Sequence, residues 1–422
     1  MKKLIAFVTM LSITVSSSIV PCFANEQVVV SEETRDFWEE IIDTLDENEY
    51  GGAYIKDGVL HIKPQDEVEM QSILSETAPN SRAASSVILD DEAEYTLNEL
   101  NEASDKSEKI WKELKLDYVA ISERDNGLIV GAYEWTEEKK ERFKEVVGIN
   151  NVFFELVEDG IEVINNDEDF FEEIPTEEPA PKSSGEKIIL GQQMSDFDAL
   201  SPEGYPWLYT IGACILGENV TGYITAGHGE IQEGHTIGDR ELKLGKVYEK
   251  IVSPSKGLDI ALIEKQPNAP LTSRLPNNGI IVSSGRPIEG DQVTIAGGAQ
   301  GFKYAEIRAA SCKKYWNTDG DSGSDDEIGD DYDNLYFNIM MMKFIGRNRT
   351  VAGDSGAPIL VSTGSGNRYK LVGIYKGVSE TGPTIISDDL TDEEIARYYY
   401  KYAYGTRWDL VAKYFWGDIY TE

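Results

Sequence analysis

Apolar and polar positions follow two different patterns along this 422-residue chain. Between residues 25 and 172, apolar residues at helical spacing alternate with short strand-like runs, which predicts an α/β region. From residue 188 to 422, short apolar runs alternate with turns rich in Gly, Pro, Asn and Asp, a pattern typical of an all-β fold. Residues 173–187 are rich in Pro and Glu and predict an extended, exposed linker between the two regions.

The α/β region repeats one arrangement, a helix followed by a hairpin. Residues 31–47 predict the first helix, because Ser31 is a favourable N-cap and apolar residues follow at helical spacing. Asp57-Gly58 and Asn126-Gly127 each join two alternating runs and predict the turns of two hairpins. The remaining predicted elements are helices at residues 91–114 and 136–147 and a strand at residues 152–157.

The all-β region divides into two predicted barrels, at residues 188–272 and 278–405. Apolar residues at helical spacing predict two further helices, at residues 391–400 and 406–414, the second of them packed on the second barrel. We expect a functional site in the cleft between the barrels, because clefts between such units are common binding sites.

A serine in a glycine turn is the candidate nucleophile. Ser355 lies in Gly353-Asp354-Ser355-Gly356, and a β-branched apolar run follows it. Glycines permit a turn in which the backbone N–H groups of Gly353 and Ser355 point into one small space, where they can stabilise an oxyanion. A second Gly-Asp-Ser-Gly sequence, around Ser322, is flanked by aspartates and has no apolar strand after it. We interpret that copy as a solvated acidic loop, because a nucleophile needs a rigid support.

A serine hydroxyl needs a base, and the chain has three histidines. His228 is the candidate, since it follows an apolar strand and enters a small-residue turn. His61 is predicted within a strand, and His235 within a polar loop. Asp259 enters another apolar strand, where an unpaired carboxylate is costly, so it is the candidate that orients the imidazole. The structural alternatives are a hydrogen-bonded histidine at a strand end and an aspartate that caps its strand.

Three sequences in this order, Thr-Ala-Gly-His, Asp-Ile-Ala-Leu and Gly-Asp-Ser-Gly-Ala-Pro, resemble the chymotrypsin-like serine peptidases. The bacterial streptogrisin and α-lytic protease branch is the nearest likeness, and it covers residues 188–422. The resemblance implies an all-β double barrel (chymotrypsin-like) as the catalytic domain. It also implies that His228 is the general base, Asp259 its orienting acid and Ser355 the nucleophile.

Residues 25–172 resemble the pro-regions of α-lytic protease and the streptogrisins, through the helix–hairpin repeat and the sequence Tyr-Gly-Gly-Ala-Tyr-Ile at residues 50–55. In that family the pro-region assists folding of the protease and then inhibits it until it is cleaved. Barrels built from non-local strand pairs fold slowly, which is a physical reason for a folding aid. The alternative is an unrelated binding domain.

Charge is spread unevenly along the chain. The formal net charge is −37, of which −29 falls within residues 25–182 and −8 in the remainder. Such a charge argues against nucleic acid or an anionic membrane as a partner. Residues 1–24, with Lys2-Lys3 before an apolar run and Cys22-Phe23-Ala24 at its end, predict a signal peptide and a secreted, extracellular protein without a membrane span.

Two cysteines stay in the mature chain, Cys214 and Cys312, because Cys22 leaves with the signal peptide. In the resembling family a cysteine follows the catalytic histidine, whereas Gly229 occupies that position here. We predict two free buried thiols, with a Cys214–Cys312 bridge as the alternative.

Two basic residues depart from the pattern of the family. The resemblance places Lys376-Gly377-Val378 where the family has Ser-Gly-Gly, whose serine supports the catalytic aspartate. Arg349 falls where the family has the floor of its substrate pocket. If Arg349 and Lys376 both face the pocket, an acidic substrate side chain is favoured. The alternative places both side chains in solvent.

Residues 317–334 are rich in Asp, and carboxylate oxygens are common calcium ligands. Their spacing differs from that of an EF-hand loop, because Ser322 stands in place of its glycine and Ile328 in place of its final glutamate. We therefore predict no metal and no cofactor. Altogether the sequence predicts a secreted serine endopeptidase made as a zymogen, whose partners are a peptide substrate and its own pro-region. The alternatives are a catalytically impaired pseudo-protease that acts as a binding module, and an acidic secreted interaction protein whose N-terminal region is the functional part.

Overall fold

The computed structural model describes most of the chain. The described residues are 30–77, 86–157, 188–200, 206–239, 242–298, 301–315, 335–345, 350, 354–364, 367–378, 402–415 and 417–422. The predicted signal peptide (1–24), the linker (173–187), the Asp-rich segment (317–334) and the helix at 391–400 lie outside these residues. Among the described residues, no helix has both the length and the apolar character that a membrane crossing requires.

The helices and strands are numbered in chain order. The helices are α1 (Glu32–Thr44), α2 (Glu67–Thr77), α3 (Leu97–Lys106), α4 (Trp111–Leu114), α5 (Glu137–Val147) and α6 (Trp408–Phe415). The strands before residue 160 are β1 (Tyr50–Lys56), β2 (Val59–Pro64), β3 (Val87–Leu89), β4 (Leu116–Ser122), β5 (Gly127–Ala132) and β6 (Val152–Leu156).

The strands that follow belong to the all-β region. The first group is β7 (Gln193–Leu200), β8 (Pro206–Thr210), β9 (Ala213–Gly217), β10 (Thr221–Thr225), β11 (Thr236–Gly238), β12 (Lys243–Ser253) and β13 (Leu258–Lys265). The second group is β14 (Ile280–Ser284), β15 (Gln292–Gly297), β16 (Gly301–Tyr315), β17 (Leu335–Phe344), β18 (Pro358–Ser362), β19 (Arg368–Val378), β20 (Ala403–Arg407) and β21 (Gly417–Ile419).

Both predicted hairpins of the N-terminal region are confirmed. Asp57 and Gly58 connect β1 to β2, and Asn126, with a left-handed φ of 50°, is the last residue of the turn from β4 to β5. Ser31 caps α1, as predicted, by accepting a hydrogen bond from the backbone N–H of Thr34. The prediction of one continuous helix at residues 91–114 is wrong in two respects. The first helix, α3, begins only after Thr96, which forms a capping box, and a 3₁₀ turn separates α3 from α4.

The second barrel is a closed ring of six strands. Its order is β15-β18-β19-β20-β17-β16, and β15 also pairs with β16, which closes the ring. Its interior is one apolar cluster, which includes Val293, Ile307, Met340 and Ile359. The other sheet of the all-β region has eight strands, in the order β21-β9-β10-β13-β12-β11-β7-β8.

That eight-stranded sheet forms the first barrel. Met194 and Tyr209, on its last two strands, share one core cluster with Ile215 and Ile419 from its opposite end. A flat sheet cannot bring both ends into one core, so the sheet is strongly curved. The fold class predicted from the sequence, an all-β double barrel preceded by a smaller α/β region, is confirmed.

The C-terminal helix starts later than the predicted 406–414. Thr406 and Arg407 pair with Ile374 and Gly373 on β19, so these residues extend β20 and the helix begins at Trp408. The helix packs against β19 and β20 of the second barrel, as predicted. The chain then returns to the first barrel, where β21 pairs with β9.

The N-terminal region and the second barrel share a sheet, which the sequence did not predict. β4 pairs in antiparallel register with the far end of β16, where Ala120 lies opposite Cys312. β5 and β6 follow β4, so the sheet continues from the barrel into the N-terminal region. A mixed apolar cluster lies on this junction and includes Ile129 from one side and Met341 and Tyr404 from the other.

Buried ion pairs join the same two regions. Arg35 on α1 forms a bidentate pair with Asp291, with distances of 2.6 and 2.9 Å, and both side chains are buried. Lys370 on β19, also buried, bonds the carboxylates of Asp36 and Glu39 on α1. Further pairs are Lys313 with Asp105 and Glu108, Lys314 with Asp117, and Arg308 with Asp125. Most of these pairs join carboxylates of the acidic N-terminal region to basic side chains of the second barrel, and the Arg35–Asp291 pair has the charges reversed.

Replacing Arg35 tests how strongly this junction depends on its buried charges. Arg35→Met leaves the carboxylate of Asp291 buried without its cation, which costs about 3–5 kcal/mol of folding stability. We expect a large fall in the thermal unfolding temperature of the full chain.

The matched control is Arg142→Met. Arg142 pairs with Glu113 and Glu145 on the surface of the N-terminal region, and its side chain is 45% exposed. Solvent screens such a pair, so its loss changes stability little. Equal unfolding temperatures for the two variants contradict the expectation.

Candidate active site

Ser355 lies in a turn that the backbone fixes from several sides. The carbonyl of Ser355 accepts the N–H of Thr210, and the N–H of Gly356 donates to the carbonyl of Tyr375, both at 2.9 Å. The N–H of Ala357 closes the turn on the carbonyl of Asp354 at 3.0 Å. The turn leads directly into β18, a buried strand of the second barrel. The serine hydroxyl is therefore held rigidly at the junction of the two barrels.

His228 and Asp259 come from neighbouring strands of the first barrel. β10 pairs with β13, and the turn after β10 brings Gly227 against the backbone of Ile260, where a side chain at 227 has no room. The N–H of Gly227 donates to Oδ1 of Asp259 at 3.1 Å. Asp259 is 1% exposed, whereas the His228 side chain is 35% exposed. The base is thus partly exposed to solvent, and its partner lies inside the protein.

The three predicted residues are within hydrogen-bonding distance in the expected order. Nδ1 of His228 donates to Oδ2 of Asp259 at 2.8 Å, and Nε2 of His228 is 3.0 Å from Oγ of Ser355. With the Nδ1 proton held by the carboxylate, the lone pair of Nε2 faces the hydroxyl. This arrangement can remove the proton of Ser355 as its oxygen attacks an electrophile.

Lys376 lies behind Asp259 and points toward it. Its Nζ bonds Oδ2 of Asp259, the oxygen that also accepts from His228, and the side chain is 2% exposed. The ammonium group also lies over the ring of Tyr336, 3.9 Å from its centroid. The prediction that Lys376 faces the substrate pocket is therefore wrong, and so is its alternative in solvent, because the buried Asp259 carboxylate attracts the ammonium inward.

The charges around Asp259 decide its protonation. Burial by itself raises the pKa of a carboxyl, but the positive charge of Lys376 and the interaction with His228 outweigh burial and hold the pKa of Asp259 well below its usual range. Burial lowers the pKa of Lys376, and the attraction of Asp259 opposes that change. At neutral pH Asp259 is thus a carboxylate with a cation on one side and an imidazole on the other.

The hydroxyl of Ser355 has a second acceptor nearby. Its Oγ is 3.1 Å from the backbone carbonyl of Lys376, and it can donate its single proton either there or to His228. The carbonyl lies on β19, which therefore supports the site with both its backbone and its Lys376 side chain.

Asp354, next to the nucleophile, is completely buried. Its carboxylate lies against Gly297 on β15, where a side chain at 297 has no room. Burial lowers the pKa of the nearby Lys303, and the negative charge of Asp354 opposes that change. Lys303, on β16, thus interacts electrostatically with Asp354.

Some predicted site residues lie outside the described part of the chain. They are Gly353, whose N–H was predicted for the oxyanion hole, Arg349 of the predicted pocket, and Ser322 of the second Gly-Asp-Ser-Gly sequence. These remain predictions.

The other two histidines lie away from Ser355, each beside its own aspartate. His61, in strand β2 as predicted, is 2.8 Å from Asp90, and His235 is 2.8 Å from Asp196. The expectation that His228 is the histidine that meets Ser355 thus agrees with the geometry.

Cys214 and Cys312 are both free and buried, as predicted. Burial raises the pKa of the Cys214 thiol to about 12, so it is not a nucleophile at neutral pH. Among the residues that the structure describes, no group of three or more His, Cys, Asp or Glu side chains is arranged to hold a metal ion.

No protein-family model and no curated protein matches the sequence. Solved structures of similar shape include a Cellulomonas bogoriensis chymotrypsin and a Nocardiopsis protease, each 15% identical, with 56% of this chain and 99% of that chain covered and a TM-score of 0.39. A third is protease A of Thermobifida fusca, 14% identical, with the same coverage and TM-score.

A substitution at Gly356 tests how tightly the turn of Ser355 is packed. Gly356 has a left-handed φ of +92°, and a Cβ there meets the hydroxyl of Thr225 and the carbonyl of Thr210. We expect Gly356→Ala to lower the free energy of unfolding by about 1–2 kcal/mol because of the strained backbone conformation. Overpacking by the new methyl group should lower it by about 1–3 kcal/mol more.

Gly364→Ala separates the two contributions. Gly364 has a similar φ of +96°, but nothing lies within 4 Å of a Cβ at that position. Thermal unfolding of both variants measures the difference, and equal losses of stability contradict the close packing around Gly356.

Proposed function

We propose that this protein is a secreted serine endopeptidase that is made as a zymogen. The observation that carries the proposal is the chain of hydrogen bonds from Ser355 through His228 to Asp259, with distances of 3.0 and 2.8 Å. A buried carboxylate, an imidazole in one tautomer and a rigid serine hydroxyl together supply the groups that acyl transfer needs.

The proposed reaction has two steps. Ser355 Oγ attacks the peptide carbonyl while Nε2 of His228 takes its proton, and His228 then gives that proton to the leaving amine. Water enters, loses a proton to His228 and attacks the acyl carbonyl, after which Oγ of Ser355 leaves and recovers the proton. The backbone N–H groups of Ser355 and Gly353 are proposed to bind the oxyanion in both steps.

Labelling with a fluorophosphonate tests the nucleophile. We expect the secreted protein to carry one label, which mass mapping places on Ser355, because His228 activates that hydroxyl. His228→Ala should lower the labelling rate by roughly 10³-fold or more. His235→Ala is the control, since His235 lies beside Asp196 and should leave labelling unchanged. A label on Ser322 means that the other copy of the sequence is the active one.

The second candidate is a pseudo-protease that serves as a binding module. The observation that favours it is the bond between Lys376 and Asp259, because a cation there reduces the negative charge available to the imidazolium. A folded, secreted protein without label on any serine supports this alternative.

We also propose that residues 25–172 are the pro-region. The shared sheet between β4 and β16 and the buried pairs of Arg35 and Lys370 support this proposal, since they bind the N-terminal region to the second barrel. A region joined in this way can template the slow, non-local pairing of the barrel strands. The charged pairs also make the junction dependent on the acidic residues of the N-terminal region.

Expression of residues 188–422 alone tests the pro-region. Without residues 25–172, Lys370 and Asp291 lose their ion-pair partners and the apolar cluster around Met341 loses its cover, so we expect little or no folded protein. Addition of residues 25–172 as a separate chain should restore folding, measured by near-ultraviolet circular dichroism and by labelling of Ser355. Equal yields with and without the N-terminal region rule out a folding role.

A further inference from the structure

Lys376 is a buried charge that bonds the proposed triad without belonging to it. Its Nζ and Nδ1 of His228 both bond Oδ2 of Asp259, so two donors share one carboxylate oxygen. The N–H of Gly227 occupies the other oxygen. Asp259 is thus surrounded by donors, and any rotation of its carboxylate breaks at least one of these bonds.

We propose that Lys376 is a positioning residue that acts through Asp259. Its ammonium group fixes the carboxylate of Asp259 and balances part of its charge. His228 therefore stays an unprotonated base at a lower pH than it would in a variant with a neutral side chain at position 376. The inference rests on the proposed function, because it assigns a role within the same site. It goes beyond that function because it predicts activity that persists under more acidic conditions.

The physical reason is competition for one negative charge. A lone carboxylate beside an imidazole stabilises the protonated ring, since opposite charges attract at short range. A second cation on the same carboxylate cancels much of the field that acts on the imidazole. This reduction is large inside the protein, where the effective dielectric constant is low. Protonation of His228 then places a new positive charge near Lys376 instead of beside an uncompensated anion.

The other titratable groups around the site are few among the described residues. Tyr336 on β17 lies under the Lys376 ammonium, and burial, followed by the charge of Asp259, raises the pKa of this tyrosine, so it stays neutral. Lys250 on β12 donates from its Nζ to the carbonyl oxygen of Gly229, the residue after His228, over 3.0 Å. This hydrogen bond is exposed to solvent. Tyr209 on β8 contacts the same turn, since its hydroxyl accepts the N–H of Ile231, and burial raises its pKa as well.

Lys376 is the cation among these groups that touches Asp259 directly. Tyr336 and Tyr209 are neutral at the pH values of interest, and the charge of Lys250 lies on a backbone carbonyl near solvent. The ammonium of Lys376 is instead shielded from water, with 2% of the side chain exposed, so its field reaches Asp259 nearly unscreened.

Histidine titration by NMR tests the inference without relying on activity. The full chain contains three histidines, so ¹³C-labelled imidazole gives at most three signals, and His228→Ala assigns one of them. We expect Lys376→Met to move the titration midpoint of His228 upward by about one pH unit, which is about tenfold in the protonation equilibrium. Lys376→Arg keeps the charge and should leave the midpoint near that of the wild type.

The signals of His61 and His235 are internal controls, because Asp90 and Asp196 rather than Asp259 neighbour those rings. Lys314→Met is the matched variant. It also removes a buried lysine from beside a buried aspartate, Asp117, but in the junction with the N-terminal region. It should not move the midpoint of His228.

The pH dependence of fluorophosphonate labelling then connects the titration to reactivity. In Lys376→Met, the acidic limb of the labelling rate should move upward with the NMR midpoint. A midpoint of His228 that stays in place or moves downward in Lys376→Met overturns the inference, even if labelling of Ser355 supports the proposed function.

Labelling of Lys376→Ser but not of the wild type also overturns the inference, since Lys376 is then inhibitory. A shifted midpoint with no labelling of any folded variant keeps the electrostatic role of Lys376 and rejects the proposed function instead. The two failures are therefore distinguishable.

Discussion

The structure of the candidate site depends on the need to compensate the buried charge of Asp259. A carboxylate with 1% exposure is stable only when donors surround it, and two elements supply three of them: the turn after β10 through Gly227 and His228, and β19 through Lys376. Because β19 belongs to the second barrel and Asp259 to the first, the Lys376–Asp259 pair also joins the two barrels at the candidate site. The backbone of β19 contributes further, since its carbonyl at Lys376 lies beside the hydroxyl of Ser355.

The same principle operates on a larger scale at the junction with the N-terminal region. Lys313, Lys314 and Lys370 are nearly buried on the second barrel, and each bonds a carboxylate from residues 25–157. The uneven charge along the sequence therefore has a structural meaning, because part of the excess of acidic residues in the N-terminal region neutralises cations of the barrel. Removal of the N-terminal region exposes these lysines to solvent but also exposes the apolar cluster around Ile129 and Met341.

Features that depend on nearby residues could be predicted from the sequence. The cap at Ser31, the hairpin turn at Asn126 and the strand-to-turn context of His228 each follow from local patterns of a few residues. The three site residues could be paired in advance because the chain has so few histidines and because their order resembles a known family. The resemblance placed Lys376 at the position that supports the aspartate, but the direction of its side chain could not be predicted, since its partner lies 117 residues away and that direction depends on the packing of β19 against the first barrel. Likewise, the residues that follow Thr406 predict a helix that includes it, whereas its pairing with Ile374 makes Thr406 a strand residue.

The strand β16 explains why the site and the N-terminal region cannot be treated separately. It runs for 15 residues, and its first half closes the second barrel against β15, where Lys303 lies near the buried Asp354 beside the nucleophile. Its last residues pair with β4, and Lys313 and Lys314 there bond carboxylates of the N-terminal region. Three shifts of register along its pairing with β17 allow so long a strand to bend from one environment into the other. A regular strand of that length cannot curve around a six-stranded barrel and also continue outward into a second sheet, so these irregularities are a condition for joining the two regions.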